Sequence, residues 1–251
     1  MFDFTDNDVY LLALTKDYIV VNENTKGLLV LNHELNIVDK IEFDIEILID
    51  AVFIHGNKLL LLCYEQNSVL YVDIATKQQE NMTFEEDNWR FAPIYIWEKN
   101  KVCLYDYKSR KAEIDLKNFN MQYIQSNDLN LSRLMFRKIV GFNHHEKLVI
   151  CIRKDIEVIN FETGNILNHF PIVDNCHDYE IHGHYFMAIC EEKVLLFMDD
   201  YKVVLYPREN FFFMRGKFIC TETECKIILL SGNKSNSNEC SVEKHEFKLK
   251  H

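Results

Sequence analysis

The chain has 251 residues, of which 48% are hydrophobic and 13% aromatic, and its 39 acidic and 28 basic residues give a formal net charge of −11 at pH 7. This amount of apolar side chain is enough for a full hydrophobic core, which excludes an intrinsically disordered chain. The negative charge argues against a general nucleic-acid binder, because phosphates must be neutralised by Lys and Arg, and it favours a basic protein partner.

The N-terminal segment MFDFTDNDVY contains three acidic groups and no Lys or Arg. It also lacks the apolar run of a secretory signal, and no stretch of the chain approaches the roughly eighteen apolar residues of a membrane helix. We therefore expect a cytoplasmic protein without a membrane partner. In that compartment its eight cysteines would stay reduced.

The stretch 147–161, KLVICIRKDIEVINF, is typical of two short strands joined by a tight polar turn. Similar patterns recur about every forty residues, a period that indicates a stacked array of small sheets. We predict six repeats of four strands each, called a to d in chain order. The predicted strands are 9–16, 18–22, 28–32 and 37–43; 47–55, 58–64, 69–74 and 77–84; 93–98, 101–106, 111–116 and 121–125; 135–142, 147–152, 156–161 and 166–170; 179–184, 185–190, 194–198 and 202–206; and 211–215, 217–221, 226–230 and 242–249.

Proline and glycine agree with these boundaries. Pro93, Pro171 and Pro207 fall at the predicted connections from strand d of one repeat to strand a of the next, where a missing N–H breaks no ladder. The glycines fall at or beside predicted turns, where a left-handed backbone is wanted. They are Gly27, Gly56, Gly141, Gly164, Gly183, Gly216 and Gly232.

The cysteines recur at one position of the repeat. Five of them lie in predicted strands b, namely Cys63, Cys103, Cys151, Cys190 and Cys220. A small apolar side chain there suits close packing between sheets. Equivalent positions of different sheets lie far apart in a ring, so we expect these five to form no disulfides with one another and no shared metal site. Cys220 and Cys225 flank a predicted turn and are expected to be neighbours without a bond.

This pattern resembles a six-bladed β-propeller over essentially the whole chain, residues 1–251, as a single all-β domain. Five blades, with the fifth repeat miscounted, is the nearest alternative, and a β-sandwich with internal duplication is a weaker one. The Trp-Asp dipeptide of one large propeller family and the Gly-Gly doublet of the kelch type are absent. The resemblance is therefore one of architecture, with no specific family identified and no functional residues carried over.

In a propeller, the d-to-a connections and b-to-c turns share one face, which we call the loop face, and the a-to-b and c-to-d turns share the turn face. The connection after the second repeat combines carboxylates with an aromatic residue and an arginine. Trp and Arg often dominate the energetics of protein interfaces. We predict a binding surface formed by Glu85, Glu86, Asp87, Trp89 and Arg90.

A second candidate cluster lies in the fifth repeat. With a period of two, Asp178, Glu180, His182 and His184 share one face of a strand, and such side chains suit a divalent metal. They span about 20 Å, however, so one ion would reach only two of them. A polar strip facing a central channel is the favoured interpretation, and we expect no metal and no cofactor.

Histidines gather near the predicted a-to-b turns. A histidine-rich face would change its charge between pH 5 and 8, although solvated turn histidines without a common role are the simpler interpretation. These residues are His55, His144, His145, His182 and His184.

The sequence contains no G-x-S-x-G, G-K-[ST], G-x-G-x-x-G or H-E-x-x-H motif. We therefore predict a non-catalytic protein–protein interaction module that binds a basic partner through its loop face, such as an inhibitor or an immunity-type protein capping a basic toxin domain. The alternative is an enzyme, a hydrolase or lyase, with a carboxylate and histidine site at the central channel.

Overall fold

The computed structural model describes residues 1–84, 90–107, 110–125, 134, 137–172, 175–198, 201–220 and 224–248. The protein is all-β, with six blades of four antiparallel strands each arranged as a β-propeller, so the predicted fold class is confirmed and the five-blade alternative is wrong. The strands are β1 (Phe2–Phe4), β2 (Leu12–Leu14), β3 (Ile19–Glu23), β4 (Gly27–Leu31), β5 (Ile37–Glu42), β6 (Ala51–His55), β7 (Lys58–Cys63), β8 (Ser68–Asp73), β9 (Gln79–Thr83), β10 (Phe91–Glu98), β11 (Lys101–Asp106), β12 (Arg110–Asp115), β13 (Asn120–Gln125), β14 (Lys138–Asn143), β15 (Leu148–Ile152), β16 (Ile156–Asn160), β17 (Ile166–Phe170), β18 (Cys176–His182), β19 (Tyr185–Cys190), β20 (Lys193–Met198), β21 (Tyr201–Leu205), β22 (Phe211–Cys220), β23 (Glu224–Asn233) and β24 (Cys240–Lys248).

The chain divides into two compact units. Unit 1 is Met1–Ile47 with Val173–His251, and unit 2 is Leu48–Ile172. The sheets of unit 1 have the orders β2-β3-β4-β5, β18-β19-β20-β21 and β22-β23-β24-β1. The sheets of unit 2 have the orders β6-β7-β8-β9, β10-β11-β12-β13 and β14-β15-β16-β17. In five of the six sheets, consecutive strands are paired as hairpins, as the repeat pattern predicts.

The sixth blade differs from the prediction. Its first strand, β22 (Phe211–Cys220), is ten residues long and includes 211–215 and the described part of 217–221, which were predicted as two strands. The fourth strand comes from the N-terminus, where β1 pairs with β24 through Phe2 opposite Val242. Gly216 therefore marks no turn. It lies inside β22, where a Cβ atom would come within 2.8 Å of the flexible end of the Met187 side chain, so the glycine leaves room for a neighbouring side chain and reverses no chain direction.

Three other local predictions are corrected. Pro93 lies inside β10, at a register shift between Phe91 and Tyr95, where a bulge tolerates the missing N–H. Gly232 lies inside β23, and Cys220 ends the first strand of its blade rather than occupying a second strand. Pro171 and Pro207 follow β17 and β21, as predicted for connections.

The structure contains the disulfides Cys176–Cys190 and Cys220–Cys225, which corrects the expectation that all cysteines are reduced. In each pair the residues lie directly opposite one another on neighbouring strands, with Cα atoms 3.9 and 4.1 Å apart. Each disulfide joins two strands of the same blade, Cys176–Cys190 in the fifth blade and Cys220–Cys225 in the sixth. The remaining cysteines are free thiols: Cys63, Cys103, Cys151 and Cys240.

Burial follows strand position within each blade. The second and third strands are mostly buried, as in β7, except for β12 and β24, and the fourth strands are largely exposed, as in β17. Each fully buried Leu, Ile or Val contributes roughly 1.5–3 kcal/mol, so the middle strands of each blade supply most of its stability. In the described part of the chain, no helix has the length and apolar character needed to cross a membrane.

Candidate functional site

The predicted interface residues Glu85, Glu86, Asp87 and Trp89 lie outside the described residues, and Arg90 is described and exposed. The guanidinium carbon of Arg90 lies 4.5 Å from the centroid of the Tyr64 ring.

Arg90 belongs to a small cluster on the loop face of unit 2. Its carbonyl oxygen accepts a hydrogen bond from the Tyr107 N–H at 3.2 Å, and the Tyr64 hydroxyl accepts one from the Phe91 N–H at 2.7 Å. Burial raises the pKa of Tyr64, so this phenol stays neutral and hydrogen-bonded beside the guanidinium. Tyr107, whose N–H makes the bond to Arg90, is 48% exposed.

The loop face of unit 1 is strongly acidic. Its loops are joined by backbone hydrogen bonds, for example from the Asn7 N–H to the Asn238 carbonyl and from the Lys234 N–H to the Asn210 carbonyl. Among the described residues of these loops, seven exposed carboxylates face two exposed lysines. The carboxylates are Asp6, Asp8, Asp44, Glu46, Glu191, Glu192 and Glu209, and the lysines are Lys26 and Lys234. These exposed side chains together carry a net negative charge.

A cleft of about 400 Å³ opens in this face at the first blade. Its floor and walls are formed by the ends of β3 and β5 and by the connection that follows β5. The lining residues are Glu23, Asn24, Lys26, Lys40, Glu42, Phe43, Asp44, Ile45 and Glu46. Ile45 is 52% exposed, so the cleft combines an apolar side chain with a ring of carboxylates.

The two lysines of the cleft form ion pairs with glutamates that line the same cleft. Lys40 Nζ lies 2.8 Å from Glu23 and 3.1 Å from Glu42, and Lys26 Nζ lies 3.7 Å from Glu46. The hydrogen bonds that Lys40 donates to Glu23 and then to Glu42 raise the pKa of Lys40, so this ammonium stays charged. Exposed pairs of this kind contribute little to stability.

Backbone bonds hold the connection after β5 in place. The Phe43 N–H donates to the Lys26 carbonyl, and the Ile47 N–H donates to the Thr25 carbonyl, both at 2.8 Å. The segment that carries Asp44, Ile45 and Glu46 is thereby attached to the turn between β3 and β4.

The neighbouring acidic connection, between β1 and β2, is held by Asn22. This side chain is fully buried. Its Oδ1 accepts from the N–H groups of Tyr10 at 2.9 Å and Leu11 at 2.8 Å. Its Nδ2 donates to the carbonyl oxygens of Asp8 at 2.7 Å and Asn24 at 2.9 Å. One amide thus satisfies four backbone groups and positions the loop that presents Asp8.

Three residues of the predicted carboxylate and histidine strip share one face of β18, whereas His184 lies beyond the end of that strand. In β18, the half-buried Asp178, Glu180 and His182 alternate with the buried Tyr179 and Ile181, and His184 is exposed in the following turn.

An ion pair engages the centre of this strip. Glu180 Oε2 lies 2.6 Å from Lys217 Nζ in β22, and burial raises the pKa of Glu180 against the opposing pull of that lysine. Over the described ranges, no group of three or more His, Cys, Asp or Glu side chains is placed to hold one metal ion.

The five predicted turn histidines fall into two groups. His55, His144 and His145 lie together in unit 2, with ring centroids of successive pairs 5.9 and 5.7 Å apart. His182 and His184 lie in unit 1.

The sequence reasoning missed the cleft at the first blade and the role of Asn22. The alternation of Asp44, Ile45, Glu46 and Ile47 after a predicted strand d was a usable signal for the cleft, because it places acids beside apolar residues in a connection. No local signal identified Asn22.

No protein-family model matches this sequence, and no curated protein sequence matches it. Solved propeller structures are similar in fold. Hsv2 of Kluyveromyces lactis is 11% identical with a TM-score of 0.58, covering 97% of this chain and 100% of that chain. The Cps50 (Swd1) β-propeller domain of Myceliophteria thermophila is 9% identical with a TM-score of 0.51, covering 97% and 88%. A streptogramin B lyase is 8% identical with a TM-score of 0.52, covering 98% and 86%. At these identities the likeness shows the shared fold alone.

Proposed function

We propose that this protein is a non-catalytic interaction module that binds a basic protein partner through its loop face. The observation that carries the proposal is the excess of exposed carboxylates over lysines on the loop face of unit 1, with the exposed Ile45 in the cleft among them. Loops on a rigid β scaffold are a common place for binding residues. An inhibitor or immunity-type protein that caps a basic toxin domain is one member of this class.

The cleft suits a Lys or Arg side chain from the partner. The methylene stem of such a side chain packs against an apolar surface while its charged head stays at the polar rim. Here Ile45 supplies the apolar surface, and Asp44 and Glu46 lie beside it. The wider acidic face accelerates association by electrostatic steering, an effect that weakens as salt rises.

The experiment compares two double variants with the same change in charge. Asp44→Lys with Glu46→Lys reverses the acids of the cleft. Asp17→Lys with Glu224→Lys makes the same change at exposed positions beside a-to-b turns of the same unit. A partner is captured from native lysate by the full chain, identified and purified, and its affinity for each variant is measured at two salt concentrations.

We expect a basic partner whose affinity falls about tenfold or more, or about 1.4 kcal/mol, with the cleft variant and by less than about threefold with the control. Equal losses for both variants, or an affinity that does not depend on salt, would contradict the proposal. Replacement of Trp89 and Arg90 by alanine in the same assay tests the interface predicted from the sequence.

A further inference from the structure

Four ring side chains form a continuous stack in unit 2. Trp97 stacks on His55 with ring centroids 5.7 Å apart and planes 19° apart. His55 meets His144 edge to face at 5.9 Å. His144 stacks on Tyr95 at 4.5 Å with planes 9° apart. We call these four residues the ring stack. It joins the innermost strands of three blades, because its members come from β6, β10 and the turn after β14.

Tyr95 makes the stack a structural connection as well as a contact. Its hydroxyl donates to the Ile54 carbonyl oxygen at 2.9 Å and accepts from the Ile54 N–H at 3.2 Å, which ties β10 to β6. The Tyr95 ring also meets Phe53 at 5.1 Å and Phe142 at 5.8 Å. A displacement of the ring that lies against Tyr95 therefore affects all three blades.

The surroundings of the stack disfavour a positive charge. Burial first, and then His145, His55 and Lys147, lower the pKa of His144 to about 4, although a hydrogen bond with the Tyr95 backbone opposes this. Burial, His145 and Lys58 likewise lower the pKa of His55. Both imidazoles are therefore neutral at pH 7.

The nearby carboxylates interact with other groups. Glu162 pairs with Lys147, Asp73 lies 3.8 Å from Lys58, and Glu98 acts on Lys147. Glu146 accepts a hydrogen bond from the Asn143 amide. The charged groups that act on the two imidazoles are thus cationic.

The hydrogen bonding of the stack gives a second, independent reason why a positive charge on its imidazoles is unfavourable. Within the described residues, His55 Nδ1 is buried and has no hydrogen-bond partner, and the same is true of Trp97 Nε1. A proton added at His55 Nδ1 would create a buried N–H group with no acceptor among the described residues, which is unfavourable.

We propose that the ring stack is an acid-operated latch, in which neutral His144 holds the second, third and fourth blades together and its protonation releases them. A charged imidazole beside Tyr95 gains some cation–π attraction. Burial and the repulsion by His55, His145 and Lys147 oppose protonation of His144. They outweigh the cation–π attraction, because the pKa of His144 is lowered overall.

The stability of the fold depends on pH because His144 has different pKa values in the folded and unfolded chain. A histidine in the unfolded chain takes up its proton near its ordinary pKa of 6.5, whereas His144 in the folded chain takes it up at about 4. Between these values the unfolded chain binds more protons, so the folded state loses stability as the pH falls through this window.

The test measures urea unfolding of the full chain at pH 7.5 and pH 4.5. All proteins carry Trp89→Phe, because the chain has two tryptophans and emission then reports Trp97 alone. His144→Phe keeps an aromatic ring in the stack and removes the titrating group. The matched control is His169→Phe, which makes the same change at an exposed histidine of the same unit.

We expect acidification to lower the folding equilibrium constant of the parent protein roughly tenfold more than that of His144→Phe. This factor is smaller than the full difference in proton affinity would give, because the His144 ring is partly exposed. His169→Phe should behave like the parent. An equal acid loss in His144→Phe, or equal protection by His169→Phe, would refute the latch.

A second measurement needs no substitution at the stack. The NMR titration of the His144 imidazole in the chain that carries only Trp89→Phe should give a pKa below about 5, with the Trp97 emission changing over the same pH range. A His144 pKa at or above its ordinary value of 6.5 would refute the proposal, whether or not the phenylalanine variant folds.

Discussion

Replacing Asn22 by leucine tests the connection that presents one part of the acidic loop face. The substitution keeps the approximate size of the side chain and removes all four of its hydrogen bonds. The N–H groups of Tyr10 and Leu11 then lose their acceptor, and the carbonyl groups of Asp8 and Asn24 lose a donor. A buried polar group left without a partner costs about 1–3 kcal/mol, and groups that reach water cost less. Since one of the four bonds is buried and the other three are partly buried, we expect Asn22→Leu to lower the free energy of unfolding by about 3–5 kcal/mol.

The assay is equilibrium urea unfolding of the full chain, followed by far-UV circular dichroism and by tryptophan emission. Asn32→Leu is the matched control, because Asn32 Oδ1 also accepts two backbone N–H bonds, from Glu34 and Asn36 at 3.0 Å, but in an exposed turn. We expect the control to cost less than about 1 kcal/mol, since water replaces the lost bonds. If Asn22→Leu cost no more than Asn32→Leu, burial would not be the reason that this amide matters.

Two further predictions concern single positions. Gly27→Ala should destabilise by about 2–4 kcal/mol, because its Cβ would lie 2.2 Å from a backbone carbonyl oxygen, whereas Gly216→Ala, which meets the flexible end of a methionine, should cost less than about 1.5 kcal/mol in the same thermal-unfolding assay. Asp106 is 1% exposed and is held by Arg110 Nε at 2.7 Å. Arg110→Met should therefore cost about 3–5 kcal/mol, and Glu162→Gln, which breaks an exposed pair, less than about 1 kcal/mol. Equal effects within either comparison would contradict the physical reason given for it.

Most blades could be predicted because a hairpin is encoded locally. Strands β15 and β16 match the predicted 147–152 and 156–161 to within one residue at each end, since apolar alternation and a polar turn determine both at once. The same is true of the turns at Gly56 and Gly183, which have φ angles of 60° and 58°.

The sixth blade could not be predicted in this way. Its outer strand pairs Phe2 with Val242, and no periodicity connects two segments at opposite ends of the chain. The short FDF segment also gives too weak a strand signal by itself. Without that strand, the fourfold repeat was completed by dividing β22 at Gly216.

The candidate site likewise combines features that the sequence predicts with features that depend on tertiary contacts. The negative charge and its expected partner follow from composition, and the acids of the loops follow from the blade boundaries. The cleft depends on the attachment of Phe43 to Lys26, which lie 17 positions apart, and the ring stack depends on His55 and His144, which lie in different blades.

By itself, the sequence determined that this protein is built from repeated four-stranded sheets, with buried middle strands, polar turns and an acidic surface, because each of these properties depends on neighbouring residues in the chain. The tertiary structure alone decided how the sixth blade is completed, that Asn22 holds a loop, and that two histidines meet between two aromatic rings. Those outcomes depend on contacts between distant segments. Their energies come from burial and hydrogen-bond geometry, which a local pattern of residue types does not specify.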